Sequence, residues 1–211
     1  SSVIVVGLGY LGLGPRVFGK RAADGSIPKL RFAILFPYFA VAWSLWQLKS
    51  RLGSEPAWHE VAPGVLLGRR PAAAHEVPPS TSVIVDLTSE LPRAPATRGV
   101  ARYVCVPVLD TSAPTESELD DLLDRLAPEP EPIFVHCAMG HGRSATVAAA
   151  LLIRRGIARD LEDALGRLKA VRPAVHLHGV QRAVVERIAR RATLPADDAA
   201  QDRPDRSPRP A

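Results

Sequence analysis

The segment Ile133–Ala149, which reads IFVHCAMGHGRSATVAA, constrains the fold of this chain more than any other. An apolar strand ends at His136, and a cysteine, a glycine-containing loop and a helix rich in small residues follow it. A tight loop of this kind turns its backbone N–H groups inward, and the helix adds its own free N–H groups and the positive end of its dipole. The sequence therefore predicts an anion-binding cradle at the carboxyl end of a buried strand.

Two side chains give this cradle its chemistry. The positive field at a helix N-terminus favours the ionised form of a cysteine, so we expect Cys137 to be a thiolate at neutral pH. Arg143 follows six positions later, and its planar guanidinium matches two phosphate oxygens. The pattern indicates a sulfur nucleophile beside an oxyanion site.

The rest of the chain predicts an α/β fold. Strands are predicted at 58–61, 65–68, 82–87, 103–108 and 133–136, and helices at 116–126, 144–155, 160–171 and 179–191. Strands that alternate with helices favour a mostly parallel central sheet flanked by helices. Residues 193–211 are polar and rich in proline, which predicts a disordered tail.

The spacing Cys-x5-Arg-Ser after a histidine resembles the signature of the cysteine-based protein tyrosine phosphatase superfamily, and the surrounding chain is similar to its dual-specificity branch. Four further segments carry the resemblance: Gly64–Arg69 as a first strand, Asp86–Glu90 as a second strand and turn, Val106–Asp110 with Pro114 as a general-acid loop, and Arg172-Pro173 with Gln181 in the closing helices. The resemblance covers about residues 57–192, which we expect to form the catalytic domain.

The resemblance implies a role for each site residue. Cys137 would form a cysteinyl-phosphate intermediate, Arg143 would bind the phosphate, and Asp110 would act as general acid and then as general base. Ser144 would donate a hydrogen bond to the thiolate, and His136 would order the loop. The implied phosphate-binding loop consists of Ala138, Met139, Gly140, His141, Gly142 and Arg143. This chemistry needs no metal and no other cofactor.

The position of the acid supports the dual-specificity branch. Asp110 precedes Cys137 by 27 residues, whereas low-molecular-weight phosphatases and arsenate reductases carry the acid downstream and rhodanese-like sulfurtransferases lack it. Asp110 could also be a turn residue, since Asp-Thr-Ser is turn chemistry. In that case the acid would be sought on the helix at 116–126, at Asp120, Asp121 or Asp124.

The expected substrate is a phosphorylated protein. Relatives that act on multiply phosphorylated inositol headgroups often have basic residues between the cysteine and the arginine, and this loop has no Lys or Arg there. A phospholipid headgroup phosphatase is the alternative. A catalytically inactive, membrane-tethered phosphate-binding module is the second alternative.

Residues 1–52 lie outside the resemblance and hold the basic excess of the chain. They contain seven Lys/Arg and one Asp, a net charge of +6, whereas residues 53–211 contain 20 Lys/Arg and 21 Asp/Glu, a net charge of −1. Charge concentrated in a short apolar region indicates orientation at a membrane and argues against a nucleic-acid partner.

The uncharged run Phe32–Leu48 is predicted to be the membrane helix of this region. Basic residues flank the run and tryptophans lie near one end, as is typical of a membrane-spanning helix. A buried core helix and a helix lying in the membrane plane are the alternatives. We expect a membrane-associated protein with a cytoplasmic catalytic domain, because a reactive thiolate survives best in a reducing compartment.

Overall fold

The computed structural model describes residues 6–7, 9–100, 102–130 and 132–193. Within these residues the structure has five strands: β1 (Trp58–Ala62), β2 (Val65–Arg69), β3 (Val83–Thr88), β4 (Arg102–Val108) and β5 (Ile133–Cys137). The α-helices of six or more described residues are α1 (Lys29–Ile34), α2 (Phe36–Leu52), α3 (Glu116–Leu126), α4 (Arg143–Arg154), α5 (Leu161–Val171) and α6 (Gly179–Thr193). Each strand and helix predicted after residue 57 is found within two residues of its expected ends. The tail predicted at 193–211 lies beyond the described residues from position 194 onward.

The five strands form one sheet in the order β1-β2-β5-β3-β4. Strands β1 and β2 pair antiparallel, and the other neighbours pair parallel. The predicted mostly parallel sheet is therefore confirmed. Strand β5 lies at the centre, and all five of its residues are buried. The cradle at its carboxyl end consequently sits between the ends of β2 and β3, where ligands bind in open parallel sheets.

Helices α3 to α6 cover one face of the sheet. Leu67, Val85 and Val135 point from the strands into the main apolar core, which these four helices complete. The opposite face carries the alternate strand residues Leu66, Ile84 and Phe134 in a smaller cluster. Both faces of the central strands are thus buried, which explains why most of their residues are apolar.

The N-terminal region differs from its prediction. Phe32–Leu48 is not one helix, because the chain changes direction at Leu35 between α1 and α2. Pro37 lies in the first turn of α2, where its missing N–H costs no helical hydrogen bond. The last turn of α2 carries Lys49 and Arg51. Among the residues that the structure describes, no helix combines the length and the apolar character needed to cross a membrane.

Instead, residues 9–52 pack against the sheet domain. The Lys20 ammonium group is buried and donates to Asp86 Oδ2 at 2.8 Å. Trp46 is 5% exposed, and its indole N–H donates to the carbonyl oxygen of Ala138 at 3.0 Å. The predicted membrane helix and membrane location are therefore wrong. The prediction that the catalytic domain lies on the cytoplasmic side of a membrane depended on that location and is withdrawn with it. Within the apolar run, Leu35, Phe39 and Trp46 are buried in the protein, whereas most of the other large apolar side chains are exposed.

Candidate active site

The loop after β5 takes a conformation that depends on glycine. Gly140 has a φ of +83°, and a Cβ atom there would lie 2.5 Å from the backbone carbon of Gly68. Gly142 precedes the first residue of α4, and its carbonyl oxygen accepts from the backbone N–H of Thr146. The loop therefore turns tightly around the end of β5 and leads directly into the N-terminus of α4.

Cys137 lies at the centre of this turn. Its Sγ atom is 3.2 Å from Ser144 Oγ and accepts a hydrogen bond from the backbone N–H of Gly140 at 3.2 Å. Cys137 itself is 4% exposed. The Gly140 N–H and the Ser144 hydroxyl are thus the polar groups placed against the sulfur.

Arg143 is the first residue of α4, and its guanidinium contacts Glu90 and Val108. Its Nη1 and Nη2 atoms donate to the two carboxylate oxygens of Glu90 at 2.8 and 2.7 Å, and Nη1 also donates to the carbonyl oxygen of Val108 at 2.8 Å. Burial lowers the pKa of Arg143, but Glu90, Cys137 and Asp110 together raise it, so the net pKa is raised and the charge is kept. The Arg143 Nε atom is buried without a partner in the described chain. An oxyanion in the cradle would supply one.

Asp110 follows β4 and lies at the mouth of the cradle. Its Oδ1 atom is 3.3 Å from Arg143 Nη2, and its side chain is 69% exposed. Asp120 and Asp124 of α3 are engaged elsewhere, because both form ion pairs with Arg154 at the far end of α4. The structure thus brings Asp110, Arg143 and Cys137 to one edge of the sheet.

Arg172 supports the loop from behind. Its side chain is fully buried and donates to the carbonyl oxygens of Gly140 at 3.1 Å and Met139 at 2.9 Å. Glu55 lies 2.8 Å from Arg172 Nη2 and 2.6 Å from His141 Nε2. The loop is therefore held by two charged residues, Arg172 and Glu55, that lie far from it in the sequence.

His136 forms the floor of the site. It is completely buried, its Nδ1 atom lies 3.4 Å from the carbonyl oxygen of Cys137, and its Nε2 atom has no partner in the described chain. In the sheet it stands opposite Asp86, which accepts from Lys20 and Tyr103. Burial lowers the pKa of His136 to about 4, although the Asp86 charge acts in the opposite direction.

This buried imidazole predicts acid sensitivity. An unfolded histidine has a pKa of about 6.5, whereas the folded pKa is about 4. The unfolded chain then binds more protons between these values, so stability is full above about pH 6.5 and falls as the pH approaches 4. Between pH 7 and pH 5 the His136 contribution to the free energy of unfolding should fall by about 2 kcal/mol.

Urea unfolding of the wild type and of His136→Asn at pH 7 and pH 5 measures this effect. The wild type should lose about 2 kcal/mol more than the variant over that interval. Equal losses in the two proteins would show that His136 is protonated in the folded state.

Cys105 is separate from the site. It pairs with Asp86 in the sheet, and Asp86 pairs in turn with His136, so Cys105 and His136 stand two strands apart. Two strand spacings amount to about 10 Å, which exceeds the separation that a disulfide spans. Burial raises the pKa of the Cys105 thiol to about 11. Cys105 is thus placed as a core residue.

Sequence reasoning missed four residues that build the site. Glu90 could have been found, because it follows β3 and the carboxyl ends of parallel strands meet at one edge. Arg172 was noted within a motif without a role. Lys20 and Glu55 gave no signal, since their partners lie 66 and 86 residues away in the chain.

A family model describes this combination of fold and loop. The model of the PTP-SAK family, described as a Swiss Army Knife protein with a DSP-PTPase phosphatase domain, matches residues 74–198. This range includes β3 to α6 and therefore the loop, Arg143 and Asp110. No curated protein matches the chain significantly.

Solved structures share the architecture. The chain is 28% identical to a glycine-to-alanine variant of Tk-PTP, with a TM-score of 0.58 over 66% of this chain and 99% of that one. For human DUSP28 the identity is 21%, with a TM-score of 0.54 over 64% of this chain and 94% of that one. For PTPMT1 in complex with PI(5)P the identity is 20%, with a TM-score of 0.55 over 65% of this chain and 97% of that one. At the latter two identities the likeness concerns the fold alone.

Proposed function

Because the chain belongs to the PTP-SAK family and carries its DSP-type phosphatase domain, we propose that it hydrolyses phosphate monoesters on proteins through a cysteinyl-phosphate intermediate at Cys137. One observation carries the proposal: the Cys137 sulfur accepts from Gly140 N–H and lies against Ser144, while Arg143 and Asp110 approach the same cradle. A nucleophile, an anion-binding group and a proton donor are the parts that this reaction requires.

In the first step the Cys137 thiolate attacks phosphorus as the ester P–O bond breaks. The proton goes from the Asp110 carboxyl group to the departing oxygen, which leaves as an alcohol or a phenol. The cradle N–H groups and the Arg143 guanidinium face the phosphoryl oxygens as their charge grows. Glu90 keeps the guanidinium plane fixed through two hydrogen bonds.

In the second step water attacks the phosphorus of the cysteinyl phosphate. The Asp110 carboxylate accepts the water proton, the S–P bond breaks, and inorganic phosphate and the thiolate are released. The Ser144 hydroxyl, 3.2 Å from the sulfur, is placed to stabilise the thiolate as it leaves. The protons balance over the two steps, and no redox partner takes part.

The electrostatics of the loop support a phosphoprotein substrate. No Lys or Arg stands between Cys137 and Arg143. The one loop histidine, His141, has its Nε2 atom 2.6 Å from Glu55 Oε2, so this ring nitrogen already has a partner within the protein. PTPMT1 was solved with PI(5)P, and a phospholipid monoester is therefore the alternative substrate for this chain.

Hydrolysis of p-nitrophenyl phosphate by the full chain tests the reaction, and phosphate release from two matched panels tests the substrate. One panel holds phosphotyrosine, phosphoserine and phosphothreonine peptides, and the other holds phospholipid monoesters in detergent micelles. We expect higher kcat/KM on the peptides. A preference for the lipids would support the alternative, and no turnover on any ester would support an inactive phosphate-binding module.

Asp110→Asn tests the proton donor. The substitution should slow hydrolysis of phenyl phosphate by about 10²–10³-fold, within the range for general acid–base catalysis. It should slow p-nitrophenyl phosphate much less, because nitrophenolate needs little protonation as it leaves. Steady-state kcat values on both esters make the comparison. Equal slowing of the two would place the acid at another residue.

Asp124→Asn is the matched control. Asp124 is also an exposed carboxylate, but it pairs with Arg154 on the far side of α4. Its substitution should leave the ratio of the two kcat values unchanged.

A further inference from the structure

We propose that Phe18 and Phe39, two buried residues of the segment Gly9–Leu52, are positioning residues that hold Asp110 in place through Leu109. The inference rests on the proposed function, in which Asp110 is the proton donor. It assigns to the N-terminal region, which lies before the family match, the role of holding the proton donor in place.

The first observation is an apolar cluster shared between this segment and the acid loop. Val17, Phe18, Leu35 and Phe39 come from the N-terminal segment, and Leu109 joins them from the loop after β4. Phe18 is 1% exposed and Leu109 is 5% exposed. The Phe18 and Phe39 rings pack with their centroids 5.9 Å apart. The residue directly before Asp110 is therefore anchored in a packed core that the N-terminal segment builds.

The second observation concerns the other contacts of the loop around Asp110, where the backbone N–H of Ser112 donates to the carbonyl oxygen of Leu109 at 3.1 Å. The Asp110 side chain is 69% exposed, and its contact with Arg143 Nη2 is long, at 3.3 Å. On the far side of the loop, Gln181 Nε2 donates to the carbonyl oxygen of Ser112 at 2.8 Å. The loop is thus held at Ser112 by a hydrogen bond and at Leu109 by packing, with Asp110 between these two anchors.

The third observation is that hydrogen bonds fix the N-terminal segment to the sheet domain. Lys20 follows Phe18 closely, and its buried ammonium group donates to Asp86 and to both the carbonyl oxygen and the hydroxyl oxygen of Thr88 at 2.7–2.8 Å. Further along the segment, Trp46 donates to Ala138 in the phosphate-binding loop. A buried, paired cation is costly to displace. The segment therefore has a fixed position from which to hold Leu109.

Two tyrosines of this segment also lie close to Asp110 and Glu90. Burial raises the pKa of Tyr10, and the carboxylate charges of Asp110 and Glu90 raise it further. Burial likewise raises the pKa of Tyr38 to about 12, and the Glu90 charge adds to the effect. The hydroxyl groups of Tyr10 and Tyr38 therefore lie within electrostatic reach of the Asp110 and Glu90 carboxylates.

Phe18→Ala in the full chain tests the proposal, with kcat measured on phenyl phosphate and p-nitrophenyl phosphate. A loosened acid loop should lower kcat on phenyl phosphate by about tenfold, a fraction of the contribution of a general acid. It should lower kcat on p-nitrophenyl phosphate by less than about twofold. Phe36→Ala is the matched control, because Phe36 lies in the same segment but is 56% exposed; its kcat ratio should equal that of the wild type.

A double variant separates positioning from general damage. In the Asp110→Asn background, adding Phe18→Ala should cause no further loss of kcat on phenyl phosphate. The carboxyl group that Phe18 positions has already been replaced by an amide, which cannot act as the acid. A full additional tenfold loss there would overturn the proposal, as would equal slowing of both esters or no slowing of either by Phe18→Ala alone.

Two further points keep the result decisive. If thermal melting shows that Phe18→Ala does not fold, Phe18→Leu and Phe39→Leu make the same comparison with a smaller packing change. An unchanged ratio of the two kcat values in both variants would overturn the proposal. If the wild type hydrolyses neither ester, the proposed function fails first. Failure of the positioning role would instead leave wild-type activity and the Asp110→Asn effect intact.

Discussion

Cys137→Ser should abolish turnover while phosphoester binding remains. A serine hydroxyl is hardly ionised at neutral pH and is a poor nucleophile without an adjacent base. The groups around Cys137 Sγ, the Gly140 N–H and the Ser144 hydroxyl, are placed to stabilise an anion and not to remove a proton. We expect kcat on p-nitrophenyl phosphate to fall by about 10⁴-fold or more, as when the nucleophile of a covalent catalyst is removed.

Binding and a matched cysteine variant complete this test. Calorimetry with inorganic phosphate should give a similar affinity for Cys137→Ser and the wild type, since Arg143 and the loop N–H groups are unchanged. Cys105→Ser, which changes the buried cysteine in β4 away from the cradle, should keep most of the wild-type kcat. Residual activity in Cys137→Ser within tenfold of the wild type would contradict a cysteinyl-phosphate intermediate.

The local part of the site was predictable because its signals lie close together in the chain. Gly140 and Gly142 permit the tight turn, Arg143 lies at the helix start, and the buried strand before Cys137 begins with the apolar residues Ile133–Val135. The strand–helix alternation gave the parallel sheet for the same reason, since each element is encoded over about ten residues.

The packing of the N-terminal region was not predictable from the same signals. An apolar run such as Phe32–Leu48 has the same composition whether a bilayer or another part of the protein covers it. What decides the outcome here is a set of long-range contacts, such as Lys20 with Asp86 and Trp46 with Ala138, and hydropathy holds no information about partners that far apart. Pro37 stands in the first turn of α2, and hydropathy does not distinguish this position from the interior of one long helix.

Glu90 shows a further limit of motif reading. The resemblance placed Asp86–Glu90 in a strand and a turn, but a one-dimensional motif does not state that the Glu90 carboxylate lies beneath the Arg143 guanidinium, 53 residues later. The topology supplies this contact, because β3 and β5 are parallel neighbours that end at the same edge. The charge state and the orientation of Arg143 are therefore properties of the fold and not of the motif.

This pairing makes a strong prediction for Arg143→Lys. A lysine keeps the positive charge but has a single ammonium group, which cannot donate to both Glu90 oxygens in one plane while also facing a phosphate. It also loses the hydrogen bond to the carbonyl oxygen of Val108, the residue two before Asp110. We expect kcat to fall by about 10²–10³-fold, the cost of removing a preorganised donor from a transition-state oxyanion.

Because lysine keeps the positive charge, the fall in kcat should come from the loss of the planar guanidinium group. The variant should need a higher concentration of inorganic phosphate for competitive inhibition, and its kcat should fall for phenyl and p-nitrophenyl phosphate alike, in contrast to Asp110→Asn. Arg154→Lys, at the other end of α4, provides the control, since its partners Asp120 and Asp124 lie away from the cradle and its kcat should match the wild type. If Arg143→Lys retained more than about a third of the wild-type kcat, a positive charge alone would suffice, and the planar fork held by Glu90 would have no part in phosphate recognition.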